Sequence, residues 1–309
     1  MRLPWREQPP EPGAALDAVA DAVHRVSILL TAGLDPLGAL RALEPAPHPL
    51  ARAAACGGAF EVPDALLAAA EGEPDAVRDA WRLLAACWAV AADTGAPLAA
   101  TLERASESVR ALADAERQLE LALAGPLATA RIVALLPLAG VGMALLIGAD
   151  PLGVVFGTVP GALAAALGVV ALAAGVRWNR RLVAAARASD PLAGVGHELL
   201  ALAMAGGAPP DAAQGRVADV AARCGIRVST DAAHATLAFA VRAGVPVSGL
   251  LRAEAGRVRR LALAEVLRRA ALLGTRLLAP LAVCFLPGFV LLGVVPLVIG
   301  ILRGALAAF

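Results

Sequence analysis

Lysine is missing. All 27 basic residues among the 309 are arginine, and tyrosine is missing as well. A chain without lysine cannot build a Walker A phosphate loop, a Schiff base or a protein-kinase nucleotide site, because each needs that side chain. P-loop ATPases, pyridoxal enzymes and protein kinases are therefore excluded. Charge is scarce: 17% of residues are charged, against about 25% in an ordinary soluble domain. The net charge is +1, which leaves no basic excess to draw a nucleic acid. The four cysteines, Cys56, Cys87, Cys224 and Cys284, form no CxxC pair and have no histidine at ligand spacing. They read as small buried hydrophobes, not as a disulfide framework or a metal set. No metal and no cofactor is expected.

Apolar residues are abundant. They make up 59% of the chain, and the mean hydropathy is +0.71, which argues for a membrane protein. The first residues, MRLPWREQPPEPG, are polar and Pro-rich and do not resemble a signal peptide. They are expected to form a disordered arm (1–13) in the cytoplasm. Three stretches then lack charge: 132–149, 152–176 and 277–302. Each is of the order of the ~20 residues that a hydrocarbon core requires. Only Asp150 separates the first two, in a tight turn GADPLG, where a turn-forming role is expected. The reading is a membrane hairpin (132–176) and a third span (277–303), with a tail at 304–309. Pro137, Pro160, Pro280, Pro287 and Pro296 inside these stretches predict kinked helices packed against protein. Arg131, Arg177, Arg180, Arg181 and Arg276 flank the charge-free stretches, while the hairpin turn has no basic residue. By the positive-inside rule the N-terminus and the segment 177–276 face the cytoplasm, and the C-terminus faces outward.

The remaining segments read as helical. Leu16, Val19, Val23, Val26 and Leu30 form one stripe at three- and four-residue steps. Gly33 is a helix stop, and Asp35-Pro36 is an N-cap followed by a first-turn proline. A helix around Val77, Trp81, Leu84 and Trp88 ends at Thr94-Gly95. Pro97 opens the next, and nothing stops that helix before the first apolar stretch. The plan then recurs. His24, Gly33 and Pro36 match His197, Gly206 and Pro209 at a common offset of 173. GAPLAATL (95–102) matches GVPVSGLL (244–251) at an offset of 149, which pairs Gly95 with Gly244 and Pro97 with Pro246. Arg110 and Glu116 match Arg259 and Glu265 at that same offset. Internal repetition predicts two copies of one architecture, a first bundle over 14–131 and a shorter second one over 177–276. The matched glycines and prolines read as helix stops and starts, and the two histidines as one shared packing position.

The near-neutral chain is two opposite halves. Residues 1–131 hold 11 Arg and 18 acidic residues, net −7, and residues 177–276 hold 15 Arg and 7 acidic residues, net +8. Mutual attraction is one reading, in one subunit or between neighbours, with Glu103, Arg110, Glu116, Arg259 and Glu265 as candidate interface charges. Contact of the basic residues with anionic lipid is the other.

These paired units, "AGL.P…AL" then "TGAPLA..L.R.A", each followed by an apolar stretch, resemble the type II secretion system F (platform) family. The stretch ATARIVALLPLAGVGMALLIGADPLGVVFGTVPG (128–161) is similar to its TadB branch, and APLAVCFLPGFVLLGVVPLVIG (279–300) to the end of TadC. The resemblance covers roughly 16–303 and departs from the family over about 212–240, where the second unit is short. It implies an all-α membrane protein with two repeated cytoplasmic helical bundles and three transmembrane helices. It also implies a non-enzymatic inner-membrane assembly protein of a Tad/Flp-type pilus or related secretion machine. Its partners would be a hexameric cytoplasmic ATPase, pilin subunits, and itself or a paralogue. A transporter or channel permease is the alternative, but it would need ionisable residues within the spans. A membrane-embedded enzyme would need clustered polar groups at membrane depth. Neither pattern is present. Small residues in the apolar stretches, Gly157 with Gly161 and Gly288 with Gly293, allow close helix packing.

Overall fold

A computed structural model describes residues 12–43, 48–146, 153, 157–187, 190, 192–227, 230–296 and 298–299. Among them every regular element is helical and none is a strand. The elements are α1 (Pro12–Thr31), α2 (Pro36–Arg41), α3 (His48–Ala53), α4 (Val62–Ala70), α5 (Asp75–Thr94) and α6 (Leu98–Leu146). Then come α7 (Val159–Arg187), α8 (Val195–Ala205), α9 (Pro210–Arg223), α10 (Thr230–Ala243) and α11 (Val247–Arg276). The last helical run alternates α12 (Leu278–Pro280), a π-helical turn (Leu281–Phe285), α13 (Leu286–Phe289) and a second π-helical turn (Val290–Val294). The chain divides into two compact units, one of residues 1–117 with 189–264 and the other of residues 118–188 with 265–309.

In the first unit, glycine and proline set the helix boundaries. Gly33 is left-handed (φ 97°), and the Leu34 amide donates to the Leu29 carbonyl across it, closing α1. Asp35 then caps α2: its Oδ2 accepts from the Gly38 amide at 3.0 Å, and Pro36 occupies the first turn. Gly95 (φ 72°) ends α5 and Gly244 (φ 65°) ends α10, each followed by a proline and a long helix. The stop after α8 differs from the expected one. Gly206 is right-handed (φ −76°), and the left-handed residue is Gly207 (φ 85°), across which the Ala208 amide donates to the Ala203 carbonyl. Pro210, not Pro209, takes the first-turn position of α9. The local backbone features therefore match one residue later than the sequence does: Gly33 with Gly207, and Pro36 with Pro210. Gly206 has another reason to be glycine. A Cβ there would lie 2.6 Å from Thr94 Oγ1 and 2.7 Å from the Thr94 carbonyl oxygen.

One hydrophobic core serves the whole first unit. It runs from Leu16 on α1 to Leu251 on α11, so the two regions expected as separate bundles share their apolar interior. At its centre lies α5, packed against α1, α4, α8 and α9. Every residue from Leu83 to Ala91 is buried, so this helix is surrounded on all sides and not merely striped. Trp81 and Trp88 are its largest side chains and are fully buried. The stretch 212–240, short in the sequence comparison of the two regions, forms most of α9 and α10. Across it, Arg216 reaches Asp93 (3.9 Å) and Arg223 reaches Asp64 (3.8 Å). Both pairs join an arginine of the basic half to an aspartate of the acidic half. All four side chains are at least a third exposed, so each pair stabilises little, about 0–1 kcal/mol.

In the second unit the helices do not stop where the charge-free stretches end. α6 runs unbroken for 49 residues, about 74 Å. α7 continues past Val176 through the RWNRR segment to Arg187, and the helix of α11 runs on to Val294. Arginine is a good helix former, and neither glycine nor proline interrupts 177–187. Two helices, Val159–Ala186 and Val247–Val294, are long and apolar enough to cross a membrane. Their apolar windows are only 22% and 28% buried within the protein. A core helix of a soluble protein would be mostly buried, so these two helices are compatible with a membrane protein. The charge-free part of the second helix begins at Leu277. The turn 148–152, the first arm up to residue 11 and the tail 304–309 lie outside the described residues. Pro12 and Gly13 already belong to α1.

Glycine brings α7 against the last helical run. A Cβ on Gly288 would lie 2.9 Å from Leu172 Cδ2 and 3.3 Å from the Gly168 carbonyl oxygen. A Cβ on Gly168 would lie 2.6 Å from Leu292 Cγ, and one on Gly175 would lie 2.8 Å from Phe285 Cε2. Gly293 approaches only Phe289 of its own helix, and nothing lies within 4 Å of the position a Gly157 Cβ would take. The π-helical turns precede Pro287 and Pro296. A ring without an N–H cannot donate to the preceding turn and crowds its carbonyl, and a locally widened helix relieves both defects.

Candidate functional site

The first unit places a polar cluster within its apolar helices. Glu198 sits in the first turn of α8 and is mostly buried. Its Oε2 accepts from Arg259 at 2.6 Å, and its Oε1 accepts from the buried Ser108 hydroxyl at 2.9 Å. Ser108 comes from α6 and Arg259 from α11, so three helices distant in sequence fix one carboxylate. Beside it is a cavity of ≈ 30 Å³ lined by Cys87, Thr101, Arg104, Glu198, Leu202 and Arg252, large enough for a water or two. The Thr101 hydroxyl donates to the Pro97 carbonyl at 2.9 Å. Burial, and then the charge of Arg104, lower the pKa of Arg252, while Glu198 opposes this. The Cys87 thiol is fully enclosed, and burial first, then Glu198, hold it well above its usual value. Burial also pushes the Cys224 thiol up to about 11. Both are protonated, inert packing groups at neutral pH, which suits the reading of cysteine as a small hydrophobe. Among the described residues no group of three or more His, Cys, Asp or Glu could hold a metal.

The other residues singled out by the sequence disperse. Arg110 pairs with Asp21 at 3.1 Å, and Arg117 binds both Asp17 and Asp114, which ties α1 to α6 in antiparallel order. Glu103 is exposed. Glu116 lies on α6, and Glu265 is occupied within α11 by Arg268 and Arg269. Of the five candidate interface charges, only Arg259 belongs to the cluster. Arg177, Arg180, Arg181 and Arg276 are exposed in the second unit, and Arg131 lies on α6. Sequence reasoning missed Ser108, Glu198, Arg104 and Arg252.

His197, next to Glu198, is buried with its Nε2 unpartnered. Burial lowers its pKa; Glu254 and a backbone hydrogen bond at Ala232 work against this, and Arg257 adds to it. A base with a depressed folded pKa is protonated first in the unfolded chain. Its contribution is therefore intact at neutral pH and is lost as pH falls below the unfolded value of about 6.5. Glu254, held below the ordinary carboxylate range by Arg257, acts only at lower pH. The melting temperature of the wild type is expected to fall between neutral pH and pH ~5, and His197→Gln should flatten that fall. Parallel pH profiles for the two proteins would contradict this assignment.

The arrangement is a charged seam that fixes three helices, beside a small arginine-lined cavity. Comparison with protein-family models, with curated proteins and with solved structures finds no significant match to this chain.

Proposed function

We propose that this chain is an inner-membrane assembly platform of the Tad/Flp pilus type, with no enzymatic activity of its own. In this reading it couples a cytoplasmic hexameric ATPase to the extraction and polymerisation of pilins. The third predicted span and the orientation with N-terminus inside and C-terminus outside belong to the same proposal, as do two repeated bundles and assembly with further copies. The observation that carries it is the recurrence of one local device. α5 and α10 each end on a left-handed glycine, followed by a proline and by a long helix that leads into an apolar stretch. With the resemblance of 128–161 and 279–300 to platform proteins, that device favours a scaffold over a transporter. A chain without lysine has no P-loop of its own and would take its energy from a partner.

The test is co-purification of the detergent-solubilised chain with the secretion ATPase encoded beside it, together with a gene deletion scored for surface pili. The expected result is a stable complex and loss of pili. Intact pili in the deletion strain, with no ATPase bound, would reject the platform reading.

A further inference from the structure

Arg104 on α6 and Arg252 on α11 line the same small cavity. Among the described residues neither forms an ion pair, and Glu198 acts on Arg252 only through its charge. The one carboxylate in the wall, Glu198, is already bound by Arg259 and Ser108. The two guanidiniums therefore meet as like charges in a partly desolvated recess, which costs free energy unless an anion enters.

We propose that the open mouth of this cavity binds inorganic phosphate, as the monohydrogen ion, between the guanidiniums of Arg104 and Arg252. Each planar fork donates parallel hydrogen bonds to an oxyanion. A ligand carboxylate has two oxygens, which a single fork satisfies, whereas a tetrahedral phosphate has oxygens for both. The wall also carries acceptors. The Thr101 proton is committed to Pro97, so its oxygen offers only lone pairs, and the Glu198 oxygens keep unused lone pairs. A singly protonated phosphate donates its proton to such an acceptor. Sulfate, which has no proton at neutral pH, meets those lone pairs with its own and is disfavoured. The exposed side chain of Arg104 leaves the mouth of the cavity accessible. This assignment is independent of the platform reading.

The experiment is a thermal-shift titration of the full chain in detergent, at neutral pH and constant ionic strength. It uses inorganic phosphate, sulfate and glycerol 3-phosphate. Phosphate is expected to stabilise the protein saturably, with sulfate at least about tenfold weaker. Arg104→Gln and Arg252→Gln should each weaken phosphate binding by about tenfold or more. Glu198→Gln should bring phosphate and sulfate together. Glycerol 3-phosphate, largely an unprotonated dianion at neutral pH, is expected to bind more weakly than phosphate, and equal or tighter binding would overturn the assignment. Arg104→Gln replaces an exposed side chain, so its melting temperature without phosphate should match the wild type. Equal stabilisation by phosphate and sulfate in the wild type would overturn the assignment, as would undiminished phosphate binding by Arg104→Gln.

Discussion

Replacing Trp88 with alanine is expected to destabilise the first unit by about 3–5 kcal/mol, a large share of the roughly 5–15 kcal/mol that holds an ordinary domain folded. Trp88 is 1% exposed and lies on α5, the helix on which α1, α4, α8 and α9 converge. Removing the indole opens a cavity whose walls come from several helices, and no single wall can collapse into it. The ring also has a polar attachment: Nε1 donates to the Ala59 carbonyl at 2.9 Å and so holds the segment between α3 and α4. Trp88→Phe keeps most of the apolar contact and loses only that bond, at a cost of about 1–3 kcal/mol. Thermal unfolding of the full chain in detergent, followed by helical circular dichroism, should order the proteins wild type, Trp88→Phe, Trp88→Ala. An unchanged transition in Trp88→Ala would show that α5 is not the centre of the core.

The second large effect belongs to Gly288. Isoleucine there would place a Cβ 2.9 Å from Leu172 and 3.3 Å from the backbone oxygen of Gly168, with two further branches beyond it. The Leu172 end can turn aside, but the Gly168 carbonyl belongs to the α7 backbone and cannot. The two helices must separate, and overpacking of this kind costs about 1–3 kcal/mol. Gly293→Ile supplies the internal comparison, since the nearest atom to its Cβ is on Phe289, at 3.7 Å and on the same helix. Gly288→Ile should therefore melt well below the wild type and Gly293→Ile close to it. Equal melting of the two variants would contradict the close approach of α7 to the last helical run. In apolar surroundings water contributes little to helix association, so fit of this kind carries most of it.

Much of the local structure is legible in the residues. Gly33, Gly95 and Gly244 end helices because a left-handed residue without a Cβ satisfies the last carbonyls at no steric cost. Asp35 with Pro36 starts one because a carboxylate accepts the free amide of the first turn. These are short-range effects, decided within a few residues. The one-residue slip at Gly206 was not legible, because GG in sequence does not say which glycine turns left-handed. Tertiary packing decided it: Gly206 must lie against Thr94, which leaves Gly207 to make the turn.

The sequence by itself determined helical structure throughout, three charge-free stretches, the places where several helices begin and end, and the absence of any lysine chemistry; among the described residues two helices are long and apolar enough to cross a membrane. Periodicity, capping and composition are properties of neighbouring residues and need no fold to be read. Only the tertiary structure decided that residues 12–117 and 192–264 share one core, since apolar stripes reveal that a face is buried but not against what. It alone brought Ser108, Glu198 and Arg259 together from positions as much as 151 residues apart, and set Arg104 beside Arg252. Charges paired across such distances leave no local pattern, because the chain between them is free to be any length that lets the helices meet.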